Sequence, residues 1–114
     1  MPRDYKVFLD DILGAIAKVR RYTAGFSQEE FFKDEKTLDA VARNLEIIGE
    51  AVKKIPPRLR TQYPSVDWKK VAGLRDILVH EYFGIDSEII WDILQNKLPG
   101  LEKQVQRMLQ STHR

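Results

Sequence analysis

A long apolar stripe that ends at two prolines limits the folds that this chain can adopt. Between residues 35 and 55, apolar side chains recur in steps of three and four, at Leu38, Val41, Leu45, Ile48, Val52 and Ile55. This spacing puts them on one narrow face of an α-helix, as in a helical bundle. Pro56 and Pro57 lack backbone N–H groups and end the helix. The sequence therefore predicts a long helix that buries one seam.

The first third of the chain predicts two more helices. Residues 4–22 carry an apolar face with helical spacing, and Gly25 is suited to the left-handed turn that ends such a helix. Ser27 and Glu30 have the spacing of a capping box, which predicts the start of a short helix. Neither segment alternates apolar and polar residues with the period of two that a strand requires.

The second half of the chain completes an all-α prediction. Asp67 is a good N-cap for a helix over residues 68–82, Asp86 can cap the next helix, and Pro99 can begin the last one. Residues 56–65 contain three prolines and are predicted to form a loop. No strand or hairpin signal appears anywhere. We predict an up-down bundle of four main helices plus short helices, forming a single domain over residues 1–114.

Composition excludes several classes of protein. The chain has 114 residues and no cysteine, which excludes disulfides and thiolate metal sites and suits a cytoplasmic location. The N-terminal segment is interrupted by charges, so neither a signal peptide nor a membrane span is expected. The net charge is only +2, so any contact with RNA requires a local basic patch. Such a patch, binding the RNA backbone, could comprise Lys53, Lys54, Arg58 and Arg60. The alternative is a solvated helix end where cations favour the helix dipole.

The chemically informative segment is residues 73–84, with the sequence GLRDILVHEYFG. It brings together Arg75, Asp76, His80 and Tyr82 near the end of one predicted helix. Arg75 and Tyr82 are two turns apart and share a face, whereas His80 lies about 140° from Arg75 on a regular helix. Either a distorted last turn or the pairing of two chains would bring Arg75 and His80 together. Glu46 and Glu50, on the long helix, could orient Arg75 or could merely line a polar seam.

The residue types limit the chemistry that this segment can perform. There is no metal-ligand spacing, phosphate-binding glycine loop or Ser-His-Asp order, so no metal or cofactor is expected. An imidazole moves protons near neutral pH, and a guanidinium holds a phosphate through two hydrogen bonds. His80 and Arg75 would therefore suffice for cleavage of RNA by its own 2′-hydroxyl.

Arg75-x4-His80-x-Tyr82 resembles the R-x4-H-x-Y motif of HepT-like proteins of the HEPN superfamily. The segments RNLEIIGEA at 43–51 and YFGID at 82–86 also resemble this family, so the similarity covers most of the chain. The resemblance implies a HEPN-like helical fold and a homodimer with the motif at or near its interface. It also implies that Arg75 and His80 are the ribonuclease residues, with Asp76 in a supporting role.

The resemblance further implies a biological setting. HepT-like proteins are toxins of type VII HepT/MntA toxin–antitoxin systems, in which a minimal nucleotidyltransferase, MntA, is the antitoxin. The family tyrosine, here Tyr82, is the residue that the antitoxin modifies with AMP. Two other interpretations stay open at this stage. The chain could be a non-catalytic helical partner or substrate subunit of a nucleotidyltransferase, or a dimeric bundle with only a structural role.

Overall fold

The computed structural model describes residues 4–74, 76 and 87–112, and these residues form helices and short turns. No strand occurs within these ranges, and the prediction of an all-α bundle is confirmed. The elements are α1 (Tyr5–Thr23), α2 (Gln28–Lys33), α3 (Glu35–Lys53), α4 (Pro57–Arg60), α5 (Trp68–Ala72), α6 (Ser87–Asp92), a π-helical segment (Ile93–Lys97) and α7 (Leu98–Thr112).

The core lies where α1 packs along α3 and against α7. The apolar stripe predicted for the long helix is almost wholly inaccessible to solvent, because Val41, Leu45, Ile48 and Val52 face α1 and its neighbours. Burial of one such side chain contributes roughly 1.5–3 kcal/mol, so this seam is a main source of stability. The remaining large core side chains come from the other helices and include Leu9, Ile12, Ile16, Phe31, Ile90, Val105 and Met108.

Helix ends in the first third of the chain follow the local signals. Gly25 adopts a φ of 82°, the left-handed conformation predicted after the first helix. The Ser27 hydroxyl accepts a hydrogen bond from the Glu30 N–H, and the Glu30 carboxylate accepts one from the Ser27 N–H. The predicted capping box is therefore confirmed. Asp34 caps α3 in a similar way by accepting a hydrogen bond from the N–H of Thr37.

The proline-rich segment differs from its prediction. Residues 56–65 were expected to form a loop, yet α4 occupies Pro57–Arg60. Pro57 stands at the first position of this helix, where its missing N–H costs nothing and its fixed φ suits helical backbone. Prolines can therefore start a turn of helix directly after they have ended another.

The last two predicted helices are joined without a break. Pro99 was expected to be the first residue of a separate helix, but it follows the π-helical segment as the second residue of α7. The Leu98 N–H donates to the Ile93 carbonyl, five residues back. Because proline has no N–H and crowds the carbonyl four residues before it, a wider π turn lets the helix continue past Pro99.

None of the described helices has the character of a membrane span. Within residues 4–74, 76 and 87–112, none of the helices combines the length and the apolar character needed to cross a bilayer.

Candidate functional site

The structure describes only part of the predicted active-site segment. Arg75, His80 and Tyr82 lie outside the described residues, so their mutual geometry stays a prediction. The same is true of Asp86, the predicted cap of the following helix. Asp76 is described: it is helical and exposed, and its N–H donates to the Gly73 carbonyl at 3.0 Å.

Trp68, the first residue of α5, anchors the helix that leads into this segment. Asp67 caps α5 as predicted, by accepting a hydrogen bond from the N–H of Lys70. The indole Nε1 of Trp68 donates to two carbonyls of the preceding segment, that of Arg60 at 3.0 Å and that of Tyr63 at 3.1 Å. Since the Trp68 side chain is also buried, these contacts tie the start of α5 to the C-terminal side of α4.

The far end of α5 lies directly on the backbone of α3. A Cβ atom on Gly49 would come within 2.9 Å of the Ala72 carbonyl oxygen. Only glycine allows this approach, because Cβ atoms are not found that close to backbone oxygens. Leu74 then enters the core, while Asp76 faces solvent. The chain therefore reaches position 75 from a helix held at both ends.

Glu46 and Glu50 lie one turn apart on α3. Both border a groove of about 280 Å³ between α1 and α3, whose apolar lining includes Phe8 and Ile47. Glu46 Oε1 lies 3.8 Å from Arg43 Nη1, and Glu50 Oε1 lies 3.4 Å from Lys53 Nζ. Such contacts are those of a polar seam, while orientation of Arg75 by either glutamate stays a prediction because Arg75 lies outside the described residues.

The predicted RNA-binding cations cluster at the C-terminal end of α3. Lys53, Lys54 and Arg58 are exposed, and Arg60 is half-buried. Two more exposed cations, Lys69 and Lys70 in α5, belong to the same end of the molecule, because Trp68 holds α5 against the segment after α4. Sequence reasoning missed this pair. The available signal was the scarcity of acidic residues between positions 53 and 70.

Two titratable groups in the described ranges have pKa values displaced by their contacts. The backbone N–H of Ser27 lowers the pKa of the Glu30 carboxyl. The bidentate pair with Glu102 raises the pKa of Arg20, with Nη2–Oε1 and Nη1–Oε2 distances of 2.8 and 3.2 Å. These groups cap a helix and link α1 to α7, so both shifts reflect structural contacts. Among the same residues there is no group of three or more His, Cys, Asp or Glu side chains arranged to hold a metal ion.

Comparison with known proteins gives a consistent family match. The family model described as "Ribonuclease HepT-like" matches residues 12–108. The chain is 47% identical to "Putative RNase MJ0127" of Methanocaldococcus jannaschii, over 96% of this chain and 91% of that protein. It is 45% identical to "Putative RNase TTE0752" of Caldanaerobacter subterraneus, over 96% and 95% of the two chains.

A third relative carries the family's own name. The chain is 38% identical to "Probable ribonuclease HepT" of Thermococcus cleftensis, over 95% of this chain and 98% of that protein. No solved structure matches the chain. The matched range of the family model includes the whole segment from Gly73 to Gly84, in which the predicted active-site residues lie.

Proposed function

We propose, given that this chain belongs to the ribonuclease HepT-like family, that it is a metal-independent endoribonuclease that acts through Arg75 and His80. One observation carries the proposal: the family match spans residues 12–108, and Arg75, His80 and Tyr82 stand within it at the motif spacing. Relatives that are named as RNases, at 38% to 47% identity, support RNA as the substrate.

The proposed reaction uses the 2′-hydroxyl of RNA as its nucleophile. A neutral histidine removes the hydroxyl proton, the 2′-oxygen attacks the adjacent phosphorus, and the P–O5′ bond breaks. A protonated histidine gives its proton to the departing 5′-oxygen. The Arg75 guanidinium stabilises the additional negative charge on the phosphoryl oxygens. The products are a 2′,3′-cyclic phosphate and a 5′-hydroxyl, so water is not consumed, and the two histidines and the arginine carry out the proposed step without a metal ion.

A homodimer would supply both the base and the acid. On a regular helix Arg75 and His80 of one chain point about 140° apart, which keeps them from converging on one phosphate. Two motif segments facing each other across a cleft would place His80 of each copy near the Arg75 of the other. In this arrangement the exposed Asp76 is available to orient Arg75, and the buried Leu74 fixes where the segment leaves the core.

The proposed biological role is that of a toxin in a HepT/MntA toxin–antitoxin pair. The antitoxin would be a nucleotidyltransferase that transfers AMP to the Tyr82 hydroxyl. AMP would add bulk and negative charge two residues from His80, which would repel the RNA phosphates. This regulation depends on the same residues as the proposed cleavage.

The direct test is cleavage of RNA in the presence of EDTA. Wild-type protein, shown by intact mass to carry no AMP, is compared with His80→Ala and with His113→Ala, which removes the only other histidine. We expect wild type and His113→Ala to cut the RNA and His80→Ala to be inactive while keeping its circular dichroism spectrum. A substrate with 2′-deoxyribose at the cut site should resist all three proteins.

Other outcomes would point elsewhere. Equal cutting by all three proteins would indicate a contaminating nuclease and would remove the support for His80. If none of them cuts RNA but the nucleotidyltransferase binds the chain and modifies Tyr82, the chain is a non-catalytic partner subunit.

A further inference from the structure

The positive charge of this protein is concentrated in one short stretch. Residues 53–70 contain six Lys and Arg residues and a single acidic residue, Asp67, which gives this stretch a charge of +5. The other 96 residues contain 13 Lys and Arg against 16 Asp and Glu, a charge of −3. The small net charge of +2 therefore conceals a strongly basic segment on a mildly acidic molecule.

Tertiary contacts gather this stretch at one end of the bundle, which we call the basic end. Its cations are Lys53, Lys54, Arg58, Arg60, Lys69 and Lys70. The first two end α3 and the next two belong to α4, while the two hydrogen bonds of the Trp68 indole hold α5 beside the segment that follows α4. The close contact of Gly49 with Ala72 then presses α5 onto α3.

Most of these cations are not neutralised by the protein. Lys54, Arg58 and Lys69 are exposed and form no ion pair with any described residue. Lys53 and Lys70 have only exposed partners, Glu50 at 3.4 Å and Asp67 at 4.0 Å, and such pairs contribute little. The basic end thus has an excess of cations that is available to an anionic partner.

Arg60 differs from the other five cations in being partly enclosed. Its Nε atom is buried and has no hydrogen-bond acceptor within the described structure. Enclosure limits the rotation of the guanidinium, so less conformational entropy would be lost when it binds a phosphate.

The helix dipole does not explain all of these positions. Cations at the C-terminus of a helix are stabilised by the dipole, which accounts for Lys53 and Lys54. Lys69 and Lys70 lie in α5, which has only five residues, so its dipole contributes little to their placement. An anionic ligand would favour cations at these two positions.

We propose that the basic end binds the phosphate backbone of the RNA substrate independently of base sequence. This inference rests on the proposed ribonuclease function, for which it names the substrate-binding surface. Backbone hydrogen bonds continue along the chain beyond α5. The Gly73 N–H donates to the Lys69 carbonyl, and the Asp76 N–H donates to the Gly73 carbonyl. Lys70 and Asp76 are six residues apart, so even a fully extended chain would separate them by no more than ~22 Å, which about six stacked nucleotides span at ~3.4 Å each. A short RNA strand held at the basic end would therefore reach Asp76.

The test measures RNA binding separately from cleavage. In a His80→Ala background with EDTA, fluorescence anisotropy follows binding of a short labelled single-stranded RNA of mixed sequence. The test variant is Lys54→Gln/Arg58→Gln/Lys69→Gln. The control, Lys18→Gln/Lys36→Gln/Arg107→Gln, removes the same charge from exposed positions outside the basic end. Each single-strand phosphate contact contributes about 0.7 to the slope of log K against log salt, so the test variant should lose about 2. Near 0.1 M salt the affinity of the test variant for RNA should fall on the order of 100-fold, and the affinity of the control variant should fall far less.

Several results would overturn the inference. Equal losses in test and control variants would mean that net charge alone attracts RNA. Unchanged RNA binding would also refute it, including the case in which the test variant instead loses the nucleotidyltransferase, because the basic end would then be a protein-binding surface. Failure of the ribonuclease proposal is a separate result: wild type would not cut RNA, yet the test variant would still lose RNA affinity.

Discussion

Replacement of Gly49 by alanine should lower the free energy of unfolding, whereas the same substitution elsewhere in a helix usually raises it. In the interior of a helix, Gly→Ala normally stabilises by about 0.5–1 kcal/mol, because glycine loses more backbone entropy on folding. At Gly49 the new methyl group would lie 2.9 Å from the Ala72 carbonyl oxygen and 3.5 Å from the Val71 carbonyl oxygen. Both neighbours are backbone atoms, so no side chain can rotate away to make room.

The size of the effect follows from these two opposing terms. Overpacking of this kind typically costs about 1–3 kcal/mol, because an element must shift. Subtracting the propensity gain of about 0.5–1 kcal/mol leaves a net destabilisation centred on ~1 kcal/mol, or about 4–8 °C in Tm for a domain near this size. The shift would displace α5 and the segment that follows it. We expect RNA cleavage to fall roughly tenfold, since a misplacement of ~1 Å can cost ~100-fold.

The assay is urea denaturation followed by circular dichroism at a fixed protein concentration. Gly14→Ala is the matched control, because Gly14 lies within α1 and its new methyl group would meet no packed neighbour within 4 Å among the described residues. The control should gain about 0.5–1 kcal/mol. If Gly49→Ala is stabilised as much as the control, the close contact between α3 and α5 does not limit this position and the reasoning fails.

Four further predictions concern helix ends and interhelical contacts. Ser27→Ala should lower the free energy of unfolding by about 1 kcal/mol, measured by urea denaturation at pH 7. Because the folded-state pKa of Glu30 is lowered, its contribution is complete above the ordinary value of 4.5 and is lost as pH falls through the lower value. The stability deficit of Glu30→Gln should therefore shrink between neutral and strongly acidic pH, and a constant deficit would contradict this. Trp68→Phe keeps an aromatic side chain but removes the donor to two carbonyls and leaves space where the larger indole packed, so thermal denaturation should show a loss of at least about 1–2 kcal/mol. A double-mutant cycle on Arg20 and Glu102 should give only about 0.5–1 kcal/mol, because Arg20 is 56% exposed, and the coupling should decline at high salt.

Features of this fold that depend on residues close together in the chain can be predicted from the sequence. The apolar stripe of α3, the capping box at Ser27, the cap at Asp67 and the left-handed turn at Gly25 all appear where the sequence predicts them. The caps and the turn depend on groups within about one turn of helix, and the stripe depends only on residue spacing along one helix, so the local sequence contains the necessary information. The family motif at residues 75–82 is local in the same sense, although its geometry lies outside the described residues.

The way in which these helices and turns meet depends on tertiary packing. The bare backbone contact at Gly49 depends on Ala72, and the π turn lets one helix run past Pro99. Lys69 and Lys70 join the cations of α3 and α4 only because the Trp68 indole reaches carbonyls five and eight residues away. Packing of distant segments sets these arrangements, and the spacing of apolar residues in one helix does not specify which backbone will lie against it.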